Sequence, residues 1–376
     1  MSQKKLRVGL VFGGRSGEHE VSLASAKSVM DNLDPAKYEV VPIGITKAGT
    51  WLLGATPDKL LAAVQQDGQQ ESQDAQGVAS VTFTSDPTVG RLIPLQSEVS
   101  LGDRGAIDVI FPVLHGTYGE DGTLQGMLEM ANIPYVGCNV LGAALGMDKE
   151  KMKMIFATAG LPNVNYVVFR RKRWEQDPAA VLAKIEQQIG YPNFVKPVNL
   201  GSSVGISKAH NREELVHALR VAAEYDHKII VEQGINCREC ECAVLGNDEP
   251  IASVVGEIVA SNEFYDYNAK YINSKSQVVI PADIPQHVAQ EIRRYAIEAF
   301  LALDLSGLSR VDFFIEKETG KIYINEVNTL PGFTQISMYP KLWEASGLPY
   351  AELLDRLIEL ALERYADHQR NRTSII

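Results

Sequence analysis

Arg310, Asp312, Glu326 and Asn328 lie in the stretch RVDFFIEKETGKIYINEVNTLPG, which runs from Arg310 to Gly332. Val311, Phe313 and Ile315 alternate with Asp312, Phe314 and Glu316, and after a turn holding Gly320 the residues Ile322 and Ile324 alternate with Tyr323 and Asn325. That pattern predicts strand, turn, strand. Glu326 and Asn328 are two apart and therefore share a face, to which pairing in register adds Asp312. Three oxygen side chains with no Cys or His nearby suit magnesium or manganese, with phosphates completing the coordination. Arg310 adds a cation aimed at negative substrate oxygens. A salt-bridged hairpin edge has the same pattern.

Other segments carry compatible chemistry. Lys196 follows Phe194 and Val195 in a short strand and precedes the turn NLGSSVGI, residues 199–206. Glycine there lets several N–H groups converge on an anion, with Ser202 and Ser203 beside them. The turn lacks the P-loop order and also reads as a simple hairpin turn. Lys149 stands at a helix start, where a solvated lysine is common. Glu18 follows the strand LRVGLVF and its Gly13-Gly14 turn, placed to bind an ammonium. Glu232 ends one strand and Glu239 begins the next, so the chain between them is suited to bridging two domains around an adenine ring. The polar, aromatic excursion SNEFYDYNAKYINSKSQVVIP reads as a lid, or as a surface loop with packed tyrosines.

The elements around these residues form an alternating pattern. Strands at 6–12, 39–45 and 107–113 and helices from Ser22 and around Leu124–Leu128 predict an open α/β domain, whose ligands gather at the carboxyl ends of strands. A new unit starts near Asp148. A single helix is expected over most of Trp343–Tyr365, with Leu353, Leu354, Leu357 and Ile358 on its apolar side. The chain has 376 residues, 45% hydrophobic and 22% charged, which implies two or three globular domains. No apolar run approaches the roughly twenty residues of a membrane span. A formal charge of -11 argues against a nucleic-acid partner. Cys138, Cys237, Cys240 and Cys242 are too few for a disulfide framework, and as reduced, partly buried thiols they fit a cytoplasmic setting.

Taken together, the segments GGRSGEHEVSL at 13–23, LHGTYGEDGTLQG at 114–126, MDK at 147–149, KPVNLGSSVG at 196–205, EFYDYNAKY at 263–271, and RVDFF with NEVNTLPGFT at 310–334 resemble the ATP-grasp superfamily. Within it they resemble the D-alanine:D-alanine ligases of bacterial cell-wall synthesis. The resemblance implies an α/β protein with an ATP-grasp fold: an N-terminal open parallel α/β substrate domain at 1–145, a central ATP-grasp domain at 146–230, and a C-terminal ATP-grasp and metal-binding domain at 231–376. It implies ATP as co-substrate, two magnesium or manganese ions on Asp312, Glu326 and Asn328, and a homodimer without membrane insertion.

By the same resemblance Lys149, Lys196 and Lys270 hold phosphates, and Ser202 and Ser203 lie in the loop over the nucleotide. Glu232 is the adenine-region acid and Glu239 the ribose-binding one. Gln233 stands where many relatives carry lysine, so only backbone recognition is implied there. Glu18 binds the first D-alanine's ammonium near His115, and Glu18, Ser202 and Tyr271 form a hydrogen-bonded trio. Arg310 and the Gly332 amide stabilise an oxyanion, and Ser337 contacts the second substrate's carboxylate. The tyrosine-bearing lid is similar to the dipeptide-forming type rather than to D-lactate-using ligases.

Overall fold

A computed structural model describes residues 4–54, 57–65, 78–96, 100–201, 203–259 and 277–372. The N-terminal sheet contains β1 (Leu6–Gly13), β2 (Tyr38–Ile45), β3 (Trp51–Leu53), β4 (Ala79–Phe83), β5 (Leu92–Pro94) and β6 (Val109–Pro112), in the order β5-β4-β3-β2-β1-β6. Its centre is parallel, as expected from apolar strands separated by a helix, with β1 flanked by β2 and β6. Beyond β2 the strands run antiparallel. The turn between β2 and β3 explains this: it is closed by Thr46 N–H to Thr50 O at 3.0 Å and is too short for a crossover.

The central sheet has the order β7-β10-β8-β9, from β7 (Tyr166–Arg170), β8 (Asn193–Pro197), β9 (Ser207–Ala209) and β10 (Lys228–Gln233). Helices Pro178–Gln188 and Arg212–Tyr225 cover it through Val181, Ile185, Leu215 and Leu219. The C-terminal sheet is antiparallel, ordered β13-β12-β11-β14-β15, from β11 (Cys237–Gly246), β12 (Ile251–Val259), β13 (Gln277–Val279), β14 (Gly307–Glu316) and β15 (Ile322–Asn328). Strand alternation gives this sheet one apolar face, where Cys240, Cys242, Val311, Phe313 and Ile324 pack under helix Gln286–Ala302. The opposite face carries Glu241, Arg310 and Asp312 at one end and the buried Ala243, Leu245 and Leu308 at the other.

Packing crosses the linear divisions in two places. Helix Lys149–Thr158 sends Met152 and Phe156 into the core of the C-terminal sheet, while β10 carries the central sheet through Gln233, past residue 230. The expected helix over Trp343–Tyr365 is two helices, Met338–Ala345 and Tyr350–His368, divided where Gly347 has φ +90° and Pro349 caps the second. Leu353, Leu354, Leu357 and Ile358 of that second helix join a core that also holds Leu10, Phe12 and Phe111 of the N-terminal sheet and Ala243, Leu245 and Leu308 of the C-terminal sheet. The chain thus returns from its third sheet to cover its first. Among the described residues no helix is long and apolar enough to cross a membrane.

Candidate active site

The β14–β15 hairpin pairs Asp312 with Glu326 and Arg310 with Asn328, with an irregularity after Asp312. All four side chains therefore share the polar face. Arg310 grips Asp312 with two bonds, Nε to Oδ1 and Nη2 to Oδ2, each 2.7 Å. The Arg310 Nε also lies 2.9 Å from Glu241 Oε2, because β11 sets Glu241 opposite Asp312. Burial opposes the guanidinium charge, but Asp312 and Glu241 raise its pKa well above the ordinary arginine value. Asn328 Nδ2 donates to Asp312 Oδ2 at 3.0 Å.

This donor set fits a hard divalent ion. Asp312, Glu326 and the Asn328 amide offer oxygen ligands on adjoining strands, and the described residues hold no group of three or more His, Cys, Asp and Glu side chains able to bind a metal. Two carboxylates and an amide leave room for phosphate oxygens and water, the usual composition of a magnesium site.

Two lysines of helix Lys149–Thr158 reach this region. Asp148 caps the helix, accepting the Lys151 N–H at 3.0 Å, and its other oxygen meets Lys228 of β10 at 2.5 Å, which anchors the helix start. Lys149 is buried, with Nζ 2.8 Å from Leu200 O and 3.3 Å from Glu326 Oε2. It joins the serine-bearing turn to the strand that carries Glu326 and is not a solvated helix-start lysine. One turn later, Lys153 contacts Glu232 Oε1 at 2.9 Å and Asn325 O at 3.1 Å. Lys196 contacts the other oxygen, Glu232 Oε2, at 2.5 Å. Burial works against the Glu232 charge, yet Lys153 and Lys196 hold its carboxyl down at about 2.

Glu239 is half-buried and close enough to help raise the Lys196 pKa. Gln233 is engaged by Asn165: its N–H donates to Asn165 O at 2.9 Å and its side-chain oxygen accepts from Asn165 Nδ2 at 2.9 Å. Ser203 sits in the turn after β8 with φ +60°. That turn is held at its start by Asp226, whose Oδ2 accepts the Asn199 N–H at 2.8 Å and Nδ2 at 2.9 Å. Ser202, Lys270 and Tyr271, and with them the expected lid, lie outside the described residues.

The N-terminal sheet supplies the remaining wall. Glu18 is the N-cap of helix His19–Asn32, but its side chain makes no capping bond. Its Oε2 lies where a Cβ on Gly116 would be 2.8 Å away and one on Gly201 3.2 Å away. Gly116 also has φ +77°, so glycine serves both the turn and the close approach. His115 is buried; Nδ1 lies 2.9 Å from Leu330 O and Nε2 3.1 Å from Ser25 Oγ. Burial lowers its pKa, and the neutral ring donates from Nδ1 and accepts at Nε2. Ser25 Oγ in turn accepts the Phe333 N–H at 3.3 Å. A Cβ on Gly332 would be 2.9 Å from Ser337 Oγ, so those two expected substrate contacts are adjacent. Next to His115 a cleft of about 220 Å³ opens among Gly14, Ser16, Leu114 and Tyr118.

Glu120, Lys153 and Glu241 belong to the site and were not singled out by the sequence reading. Glu120 accepts the Gly116 N–H at 2.6 Å and the Leu330 N–H at 3.0 Å. Signals existed for all three: Glu120 lies inside the glycine-rich LHGTYGEDG stretch, Lys153 is four residues after Lys149 on one helix face, and Glu241 is two after Glu239 on one strand face.

Family models match most of the chain. The one described as D-ala D-ala ligase N-terminus covers residues 7–138, and the one described as D-ala D-ala ligase C-terminus covers 155–359. The chain is 54% identical to the D-alanine--D-alanine ligase of Ruminiclostridium cellulolyticum over 99% of each chain. It is 52% identical to that of Acetivibrio thermocellus over 98% of each. Among solved structures, the VanG D-Ala:D-Ser ligase from Enterococcus faecalis is 39% identical with TM-score 0.83, covering 95% of this chain and 100% of that one. The D-alanine-D-alanine ligase from Coxiella burnetii is 37% identical with TM-score 0.82, covering 98% of this chain and 97% of that one. With three sheets meeting around these lysines and carboxylates and both halves matched over nearly their full length, the chain belongs to the D-alanine–D-alanine ligase family.

Proposed function

We propose that this protein joins two D-alanine molecules into D-alanyl-D-alanine at the expense of ATP, releasing ADP and phosphate, as a step in making peptidoglycan precursors. The observation that carries the reading is the position of the Lys149 ammonium between Leu200 O and Glu326 Oε2. There a phosphate-binding cation, a glycine-serine turn and a hard-oxygen strand converge. Asp312, Glu326 and Asn328 would hold two magnesium or manganese ions, which supply charge neutralisation at transferring phosphoryl oxygens.

Glu18 holds the ammonium of the first D-alanine and directs its carboxylate toward the γ-phosphate. That oxygen attacks phosphorus, the bond to the ADP oxygen breaks, and a D-alanyl phosphate forms while Lys149 and Lys196 orient the phosphates. Glu232 and Glu239 face the adenosine. The neutral amine of the second D-alanine, oriented by Ser337, attacks the acyl carbon. Arg310 and the Gly332 N–H stabilise the oxyanion; phosphate then leaves and the new amide nitrogen gives up its proton. In this reading Ser202, Ser203 and Lys270 act on the nucleotide and Tyr271 acts with Glu18 and Ser202 at the substrate, and exclusion of water protects the acyl phosphate. Buried His115, neutral and fixed at both nitrogens, positions the Leu330–Gly332 backbone. The active unit is a homodimer.

Incubation with ATP, magnesium and D-alanine should yield one ADP per dipeptide. A panel of D-serine, D-lactate and L-alanine as second substrate should give less product than D-alanine. Dipeptide formed without ATP consumption, or a stronger preference for D-serine, would overturn the assignment.

A further inference from the structure

Glu232 is 2% exposed and meets two ammonium groups, Lys153 on one oxygen at 2.9 Å and Lys196 on the other at 2.5 Å. The two lysines are not equivalent. Lys153 is 0% exposed and is further tied to Asn325 O at 3.1 Å, so it faces the interior between β10 and β15. Lys196 keeps 10% side-chain exposure and stands directly before the serine-bearing turn.

We propose that Lys153 is a positioning residue of the nucleotide site: its ammonium is the standing counter-ion of Glu232, which lets the Lys196 ammonium leave that carboxylate for the phosphates of a bound nucleotide. The inference rests on the reading of Lys196 as a phosphate-holding lysine. A buried carboxylate stripped of its only cation is strongly destabilised, whereas one that keeps an ion-paired ammonium is not. With Lys153 in place, release of Lys196 leaves Glu232 paired. Without it, Lys196 is needed by Glu232 and by the nucleotide at once. The same bond set explains why Lys153 reaches Asn325 O: it fixes β10, which bears the adenine-region acid, against β15, which bears Glu326.

The test is titration of the full chain with magnesium-ADP, alongside steady-state kinetics. Lys153→Met should weaken ADP binding by about tenfold or more and raise the ATP KM, with the D-alanine KM changed by less than about twofold. Lys153→Met/Glu232→Gln should bind ADP more tightly than Lys153→Met, because no buried charge then needs a partner. Parental ADP affinity in Lys153→Met, or no recovery in the double variant, would overturn the proposal. Circular-dichroism melting follows folding. Should Lys153→Met fail to fold, Glu232→Gln and the double variant are compared: ADP affinities within about twofold of each other support the proposal, and a further tenfold loss overturns it. Lys196→Ala separates the two levels. If it leaves ADP binding intact, the phosphate role of Lys196 falls and the inference with it; if it weakens ADP binding while Lys153→Met does not, only the inference falls.

Discussion

Glu120 accepts the N–H of Leu330, 210 residues away, at 3.0 Å, while its other oxygen accepts the Gly116 N–H at 2.6 Å. One carboxylate thereby ties the loop carrying His115 to the backbone leading into Gly332. Burial and the nearby Glu18 charge push the Glu120 carboxyl up to about 8. An acid whose pKa is raised by folding binds its proton more tightly in the folded chain. Its stabilising contribution is present below the unfolded value and is lost as pH rises toward about 8. Glu120→Gln, neutral at every pH, should flatten the fall of Tm across that window; melting curves at several pH values check it. A parental Tm slope would show that Glu120 is not the titrating group.

Arg310 is gripped by Asp312 and Glu241 within 2.9 Å, which fixes its guanidinium on the polar face beside Asn328. Arg310→Ala should lower kcat/KM for dipeptide formation by roughly 3 kcal/mol equivalent, the scale of a lost oxyanion donor. Arg310→Lys should recover only part of this, because an ammonium lacks the two-pronged geometry. The rate of dipeptide formation is the measurement, and a parental rate in Arg310→Ala would remove Arg310 from the chemistry.

Asp312 and Glu326 are paired across the β14–β15 ladder and are proposed to share divalent ions with Asn328. Asp312→Asn should raise the magnesium concentration for half-maximal activity by about tenfold or more. Titration of activity with magnesium and with manganese reads this directly. An unchanged requirement for both ions would place the metal elsewhere.

Phe333 lies next to Gly332 and packs edge-on against Phe111 at 5.8 Å and Tyr350 at 6.2 Å, with Tyr339 tilted at 5.5 Å. It is 2% exposed. Phe333→Ala should cost about 3–5 kcal/mol of stability from lost burial and the cavity left behind. Urea denaturation measures the loss; a cost below about 1 kcal/mol would mean the surrounding aromatic side chains collapse into the space.

The amino-acid sequence alone determined which neighbours within a strand share a face: two-residue spacing puts Glu326 with Asn328 and Arg310 with Asp312, because successive strand side chains point to opposite sides. Strict alternation would leave Glu326 and Asn328 with Ile322 and Ile324, and the irregularity after Asp312 in the β14–β15 pairing is what brings them to the face of Asp312. Continuous apolar runs marked the parallel strands, and spacings of three and four marked the apolar stripe of Leu353, Leu354, Leu357 and Ile358. Tertiary structure alone decided what each of those faces meets. The stripe packs into one core shared by the first sheet, the third sheet and the preceding helix Met338–Ala345, and helix Lys149–Thr158 serves the third sheet, because buried apolar faces collect where complementary apolar surface is available. Charge partners were likewise set by packing: Lys153 and Lys196 meet on Glu232, Glu241 reaches Arg310, and Glu120 bridges to Leu330 only once distant segments are brought together. Buried charges and N–H groups require partners, but the requirement does not say which residue, tens or hundreds of positions away, will supply them.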